Sequence, residues 1–158
     1  MRVLAIDPGY ERCGVAVMAK EDKKETVLYS GCIQTTKDLP FHERLSIVAN
    51  ECGRLIGEYS PIALAIEKVY FNANKKTAMA VSEVRGALIN TALERRLAVS
   101  EYTPSQIKVA VTGYGNADKK QIISMVQKLV KIEKEIQFDD EYDAIAVSVT
   151  CLAHYRSI

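Results

Sequence analysis

The sequence of 158 residues contains only two histidines and four cysteines, and this shortage excludes several kinds of site. Its cysteines lie far apart and form no CxxC pair, so neither a zinc site nor a disulfide framework is expected. No apolar run approaches the roughly 20 residues that a membrane-spanning helix needs. The first residues lack the length and cleavage site of a signal peptide. We therefore expect a cytoplasmic protein with reduced cysteines and no membrane contact.

The remaining composition is that of an ordinary folded domain. Apolar residues make up 48% of the chain and charged residues 26%, which is typical of globular proteins. No linker, repeat or low-complexity tract divides the sequence. We expect residues 1–158 to form a single domain.

The net charge of +1 conceals an uneven distribution. Residues 68–131 carry 11 basic and 4 acidic side chains, whereas residues 132–158 carry 2 basic and 6 acidic ones. A basic middle next to an acidic end favours a surface for a polyanion and a separate group of carboxylates. The alternative is that these charges simply cover solvated helix faces.

Hydrophobic periodicity predicts the secondary structure. Short apolar runs predict strands at 3–7, 14–18, 26–34, 62–67 and 98–102. Helical spacing predicts helices at 41–59, 78–92, 104–111, 118–130 and 140–154. The first three strands have short connections and should be antiparallel, whereas the later strands alternate with helices and should be parallel. We expect an α/β protein with a mixed five-stranded sheet and helices on both faces.

Two acidic residues follow apolar strands. Asp7 enters the turn Asp7-Pro8-Gly9, where it can hold a cation or simply form a turn. Glu67 follows the apolar run 63–66, and a carboxylate so close to a core must be paired, protonated or bound to a metal. Lys68 is the obvious partner, but neighbours in a strand point to opposite faces.

The predicted last helix supplies two further acids. Asp140 and Asp143 are three residues apart and share a helix face. Asp139 is an alternative to Asp140 as a site residue, and Asp139 and Glu141 are otherwise expected to be solvated residues at the helix start. Four carboxylates without a histidine–cysteine cluster favour two Mg²⁺ ions, for which Mn²⁺ can substitute. Such a site is typical of phosphodiester hydrolysis, which requires no nucleophilic serine or cysteine.

Several short motifs, in this order and spacing, resemble the RuvC family of Holliday-junction resolvases over nearly the whole chain. They are Ile6-Asp7-Pro8-Gly9, Gly31-Cys32-Ile33, residues 65–72, Lys76-Thr77-Ala78, Arg85-Gly86, residues 104–108, residues 113–119 and residues 140–144. The resemblance implies an RNase H-like fold and a magnesium-dependent endonuclease that makes paired symmetric nicks in four-way DNA junctions. It implies ends with a 5′-phosphate and a 3′-hydroxyl.

The resemblance also implies roles for individual residues. It makes Asp7, Glu67, Asp140 and Asp143 the ligands of two metal ions per subunit. It places Lys108 and Lys119 near the cleaved strand, with Lys119 in the catalytic set. It implies that Tyr70 stacks at the junction centre, and it implies a homodimer that cooperates with a branch-migration helicase.

The basic and aromatic residues of the middle segment predict a DNA surface that agrees with this resemblance. The lysines follow strands, on the side where α/β sheets usually bind ligands, and unpaired bases stack on aromatic rings. The candidate DNA-binding residues are Tyr70, Phe71, Lys75, Lys76, Lys108, Lys119 and Lys120. Tyr70 and Phe71 are alternatives for the stacking ring.

The chain departs from the family pattern in two places. Ser82-Glu83-Val84-Arg85-Gly86 stands where Gly-Gln-Ala-Arg-Gly is more usual, on a helix associated with the dimer and DNA. Tyr70 stands where phenylalanine is common. These departures leave the expected chemistry intact and bear on the dimer contacts and on any cleavage-sequence preference.

Other functions remain as alternatives. An RNA-processing nuclease of the YqgF type would share the first aspartate motif, although the aromatic–lysine segment argues against it. A junction-binding protein without catalysis is a second alternative, which four intact acids disfavour. A sugar kinase is excluded because that architecture needs two such domains.

Overall fold

The computed structural model describes residues 1–22, 24–70 and 75–155, which form five strands and five helices. The strands are β1 (Arg2–Asp7), β2 (Arg12–Glu21), β3 (Lys24–Gln34), β4 (Ala63–Glu67) and β5 (Ala98–Tyr102). The helices are α1 (Phe41–Tyr59), α2 (Lys75–Glu94), α3 (Pro104–Thr112), α4 (Lys119–Leu129) and α5 (Asp139–His154). The predicted order of elements is confirmed, although β2 is longer at both ends than expected.

The strands form one mixed sheet in the order β3-β2-β1-β4-β5. β1 pairs antiparallel with β2, and β2 pairs antiparallel with β3. β4 lies parallel to both β1 and β5. The predicted mixed sheet is therefore confirmed, and the carboxyl ends of β1 and β4 lie side by side.

Helices cover both faces of the sheet, so its central strands are apolar on both sides. In β1, Leu4 and Ile6 pack with residues of α1 and α2. Val3 and Ala5 pack on the other face with residues of α3, α4 and α5. This alternation fixes which face each following side chain takes. No helix in the described part of the chain is long and apolar enough to cross a membrane.

Two helices near the carboxyl edge of the sheet begin at capping boxes. Thr103 accepts a hydrogen bond from the backbone N–H of Gln106, whose side chain accepts one from the Thr103 N–H. Asp118 and Gln121 form the same reciprocal pair at the start of α4. Each box satisfies otherwise unpaired N–H groups and fixes where its helix begins. Thr103 and Asp118 thus cap the helices that helical spacing predicts at 104–111 and 118–130.

α5 is the central helix of its layer, as its apolar sequence predicts. It packs across β1 and β2, and its residues from Ala144 to Leu152 are buried. Glu141 is also buried, with 5% of its surface exposed, so the expectation that it is a solvated residue at the helix start is wrong. Its carboxylate is turned towards β3, where Ser30 donates a hydrogen bond to it. Asp139 is exposed, as expected.

The start of α5 rests directly on β2 at Gly14. A Cβ atom at Gly14 would lie 1.8 Å from the carbonyl oxygen of Asp140. This approach is possible only without a side chain, because the atom that a side chain would meet belongs to the backbone and cannot rotate away. Gly14 therefore determines how closely the first turn of α5 approaches the sheet.

We expect Gly14→Ala to lower the free energy of unfolding by about 3 kcal/mol, the upper part of the range for overpacking. Urea unfolding followed by circular dichroism measures the change. Gly57→Ala is the matched control, because a Cβ atom there meets nothing within 4 Å. The control should be stabilised by roughly 0.5–1 kcal/mol, since alanine favours helices over glycine. Equal stability of Gly14→Ala and the wild type would show that α5 can move away at little cost.

Candidate active site

Asp7 and Glu67 end two neighbouring parallel strands and face the same side of the sheet. Ile6 pairs with Ile66 in the register of β1 and β4, so each acid follows one residue later. Side chains alternate along a strand, and Val3, Ala5, Ala63 and Ala65 all pack on the α5 side. Asp7 and Glu67 therefore point to the layer that contains α5.

α5 brings two more carboxylates to this place. Asp140 and Asp143 lie in its first turns, and Gly14 of β2 contacts the backbone of Asp140. Asp143 accepts a hydrogen bond of 3.0 Å from Lys119 Nζ. The structure thus brings together the four acids that the sequence singled out, from β1, β4 and α5.

The burial of these carboxylates changes their pKa values. Burial, followed by the charges of Glu67, Asp143 and Asp140, raises the pKa of Asp7 well above its ordinary value. Burial and the charge of Asp143 raise the pKa of Glu67 to about 7, although Lys108 and Lys119 oppose this shift. Burial also raises the pKa of Asp143, against the effect of Lys119. The site therefore favours the binding of positive charge.

Lys119 is the cation most closely engaged with the acids. Its Nζ lies 3.0 Å from Asp143 Oδ2 and 3.5 Å from Asp139 Oδ2. Burial lowers its pKa, but the hydrogen bonds and charges of these two acids more than offset that effect, so the pKa is raised. Lys119 and Lys108 also line a pocket of about 250 Å³ that includes Glu67 and Asp143. Lys108 lies in the middle of α3, the helix that follows β5.

Arg12 pairs with the fourth acid, a contact that the sequence analysis missed. Its Nε lies 3.2 Å from Asp140 Oδ2, and its guanidinium also lies over the ring of Phe138. Asp140 Oδ2 is nevertheless buried without a hydrogen-bond donor among the described residues. The contact between Arg12 and Asp140 is therefore an ion pair without a hydrogen bond. The pairing of β1 with β2 brings Arg12 to this edge, which spacing alone did not reveal.

The donor set of this site fits a hard divalent cation. Carboxylate oxygens are the preferred ligands of Mg²⁺, and the buried Asp140 Oδ2 is an acceptor without a donor. Within residues 1–22, 24–70 and 75–155, no three acidic, histidine or cysteine side chains converge tightly enough to hold an ion where they stand. Lys119 and Arg12 pair with Asp143 and Asp140 instead, so these two carboxylates would have to exchange partners on binding a metal.

The candidate DNA-binding residues lie on different parts of the surface. The side chain of Tyr70 is 53% exposed and lines a pocket with Asp7 and Glu67. Lys120 lines a pocket of about 460 Å³ on α4 with Tyr114 and Lys128. Lys76 is exposed in the first turn of α2. Phe71 and the side chain of Lys75 lie outside the described residues.

The fold and the acids at its carboxyl edge define an RNase H-like nuclease. The resolvase of fowlpox virus shares the fold, with a TM-score of 0.65 at 12% identity over 99% of this chain and 100% of that one. Thermus thermophilus RuvC in complex with a Holliday junction substrate has a TM-score of 0.91 at 28% identity, over 99% of this chain and 95% of that one.

Sequence comparison identifies the family. Residues 3–151 match the family described as crossover junction endodeoxyribonuclease RuvC. The RuvC of Thermosipho melanesiensis is 42% identical over 153 residues, which cover 97% of each chain. This chain belongs to the RuvC family, and it is a nuclease that hydrolyses phosphodiester bonds. The match favours this family over the YqgF type.

The raised pKa values predict a stability that falls with increasing pH when divalent ions are chelated. The folded protein retains protons on Asp7 and Glu67 that the unfolded chain releases near pH 4–5. The folded state therefore binds more protons between about pH 4.5 and 7, and its stability declines over that range. We expect the Tm measured in EDTA to be higher at pH 5.5 than at pH 8.

Glu67→Gln tests the origin of this pH dependence. The glutamine side chain at position 67 cannot ionise. The Tm of the variant should therefore exceed that of the wild type at pH 8 and vary less with pH. Added Mg²⁺ should raise the wild-type Tm more at pH 8 than at pH 5.5, because protons compete with metal for carboxylates. A wild-type Tm in EDTA that rises from pH 5.5 to pH 8 would contradict the burial argument.

Proposed function

We propose that this chain resolves four-way DNA junctions by paired symmetric nicks that leave 5′-phosphate and 3′-hydroxyl ends. The observation that carries the proposal is the meeting of four carboxylates from β1, β4 and α5 next to two lysines. This grouping combines the ligands of a metal-dependent nuclease with cations for a phosphate. Residues 1–158 would form one nuclease domain, since a single sheet with a core on each face spans the described residues.

In this proposal Asp7, Glu67, Asp140 and Asp143 hold two Mg²⁺ ions per subunit, and Mn²⁺ can take their place. When bound, such ions would supply the charge that activates water and stabilises the leaving oxygen. The carboxylates come from rigid elements, two strand ends and one helix, which keeps their relative positions fixed. Asp140 is favoured over Asp139 as the fourth ligand because Asp139 is exposed, whereas the charge of Asp140 acts on Asp7.

Lys119 and Lys108 would neutralise negative charge at the cleaved phosphate. Both lysines lower the pKa of Glu67 through space, so their positive ends act on the same region as the carboxylates. Lys119 would leave Asp143 for the phosphate once Asp143 binds a metal. Cations preplaced where charge develops are an efficient means of stabilising a transition state.

Tyr70 would stack on an unpaired base at the crossover, which a linear duplex does not offer. Its exposed ring lies next to Asp7 and Glu67, so a stacked base would be close to the cleaved strand. Base–aromatic stacking contributes roughly 1–3 kcal/mol. Phe71 remains the alternative ring, and Lys75, Lys76 and Lys120 would contact phosphates of the junction arms.

We further propose a homodimer that uses the outer face of α2. The exposed positions of this face recur at helical spacing: Met79, Glu83, Gly86, Asn90 and Leu93. Met79 and Leu93 are 59% and 56% exposed, and a Cβ atom at Gly86 would meet nothing within 4 Å. Apolar side chains on either side of a glycine suit close helix–helix contact. Two symmetric nicks also require two active sites.

The proposal also includes cooperation with a branch-migration helicase in the cytoplasm.

Removing one carboxylate should separate cleavage from binding. We expect Asp7→Asn and Glu67→Gln each to reduce cleavage of a labelled four-way junction by at least about 100-fold, as loss of a major transition-state contact does. Junction binding in a gel-shift assay should be retained or tighter, because each change removes negative charge near phosphate. Asp22→Asn, at an exposed turn, is the control and should cleave normally. Cleavage by Glu67→Gln at the wild-type rate would overturn the metal assignment. If the wild type binds the junction in Mg²⁺ but does not cleave it, the alternative of a junction-binding protein without catalysis is favoured.

The dimer proposal predicts that a charge on the outer face of α2 separates the subunits. Leu93→Glu should convert a dimer into a monomer in analytical ultracentrifugation, because it buries a charge in the proposed contact. Val109→Glu is the matched control, since Val109 is half exposed on α3, which packs on the opposite face of the sheet from α2. Glu83→Gln should tighten the dimer if the two copies of Glu83 approach one another. A wild-type monomer, or a dimer unaffected by Leu93→Glu, would contradict the proposed interface.

A further inference from the structure

Glu141 occupies an unusual place between two candidate metal ligands. It belongs to the first turn of α5, one residue after Asp140 and two before Asp143. Successive residues of a helix are about 100° apart around its axis, so Glu141 cannot face the same way as both neighbours. Its carboxylate is buried against β3, where it has a different set of partners.

Three elements meet at the Glu141 carboxylate. Ser30 Oγ of β3 donates a hydrogen bond of 2.6 Å to Glu141 Oε1. Lys134 Nζ, from the connection between α4 and α5, lies 2.5 Å from the same oxygen. The same ammonium donates a hydrogen bond of 2.6 Å to the carbonyl oxygen of Ser30. We call Ser30, Lys134 and Glu141 the β3 tie.

The β3 tie resists displacement of the helix start. A buried carboxylate is tolerated only when it is paired and hydrogen-bonded. If α5 slid or rotated, Glu141 would lose its contacts with Ser30 and Lys134. Lys134 is half exposed and only the Glu141 carboxylate is buried, so losing the pair is costly chiefly because this buried charge is left uncompensated. On the neighbouring strand, Gly14 meets the backbone of Asp140 and limits approach to the sheet. The tie and the glycine contact act in different directions on the same helical turn.

The first turn of α5 needs such restraint because it carries like charges. Asp139, Asp140 and Glu141 are consecutive, and Asp143 approaches Asp7 and Glu67. Repulsion among these acids would favour moving the helix start away from the strand ends. Lys134 neutralises Glu141 locally, and the tie holds the turn in place.

We propose that Glu141, with Ser30 and Lys134, is a positioning residue of the metal site. The tie holds Asp140 and Asp143 opposite Asp7 and Glu67 before an ion binds, so that metal binding does not have to draw the helix into place. The inference rests on the proposed function, since it concerns the same carboxylates. Glu141 itself faces β3 and is not a metal ligand in this proposal.

Direct titration of Mn²⁺ without DNA tests the proposal. Binding is measured by electron paramagnetic resonance for the wild type, Ser30→Ala and Glu141→Ala. We expect both variants to bind Mn²⁺ roughly 10-fold more weakly, the effect typical of residues that support metal ligands. Glu141→Gln keeps an acceptor for Ser30 Oγ and should fall between the wild type and Glu141→Ala. Ser30→Ala removes only one hydroxyl, so it keeps the test informative if Glu141→Ala folds poorly.

Cleavage at increasing Mg²⁺ provides the second measurement. The half-saturating Mg²⁺ concentration should rise about 10-fold in the variants, whereas the rate at saturating Mg²⁺ should recover to within a few-fold of the wild type. Glu133→Gln is the matched control, because Glu133 pairs with Lys131 at the surface of the same connection. It should leave both metal binding and cleavage unchanged.

Each other result would overturn the proposal. Lowered Tm with unchanged Mn²⁺ affinity would mean that the tie stabilises the fold alone. Loss of cleavage that no Mg²⁺ concentration restores would mean that Glu141 acts in the chemistry itself. If the wild type neither binds Mn²⁺ nor cleaves the junction, the proposed function fails first, and this result differs from a failure confined to the variants.

Discussion

Repulsion among carboxylates at the carboxyl edge of the sheet is the constraint on which the rest of the site depends. Asp7, Glu67 and Asp143 have raised pKa values because burial and mutual repulsion act in the same direction. A protein that keeps such groups together must supply positive charge or hold the backbone against separation. This chain does both, through Lys119 and Arg12 on one side and the packing of α5 on the other.

The sheet makes the close approach of these acids possible. The parallel pairing of β1 and β4 places their last residues side by side, and strand alternation turns both acids to the α5 face. The antiparallel partner β2 contributes Gly14, where the helix can rest on bare backbone. An antiparallel arrangement of β1 and β4 would put Asp7 and Glu67 at opposite ends of the sheet. The candidate site is therefore a consequence of strand direction as much as of residue type.

Much of this architecture follows from local sequence signals. The strands were predictable from apolar runs, and the starts of α3 and α4 from Thr103 and Asp118, because capping depends on residues only three positions apart. The acids that end β1 and β4 were predictable because each directly follows an apolar run.

The prediction that Glu141 is solvated was wrong because spacing gives the direction of a helical side chain but not the residues that it meets. Its partners Ser30 and Lys134 are 111 and 7 positions away in sequence, and the former is brought close only by the folded sheet. Arg12 was missed for a similar reason, since its pairing with Asp140 joins the two ends of the chain.

The capping box at the start of α4 fixes the position of Lys119 independently of the rest of the helix. Asp118 and Gln121 fix the first turn through their own side chains and backbone, and Lys119 is the next residue after the cap. The exposed side of α4 further along can therefore vary in charge and size without moving the ammonium group away from Asp143. The helix therefore has two parts: a first turn whose position is set by its cap, and an exposed remainder whose side chains can change without moving Lys119.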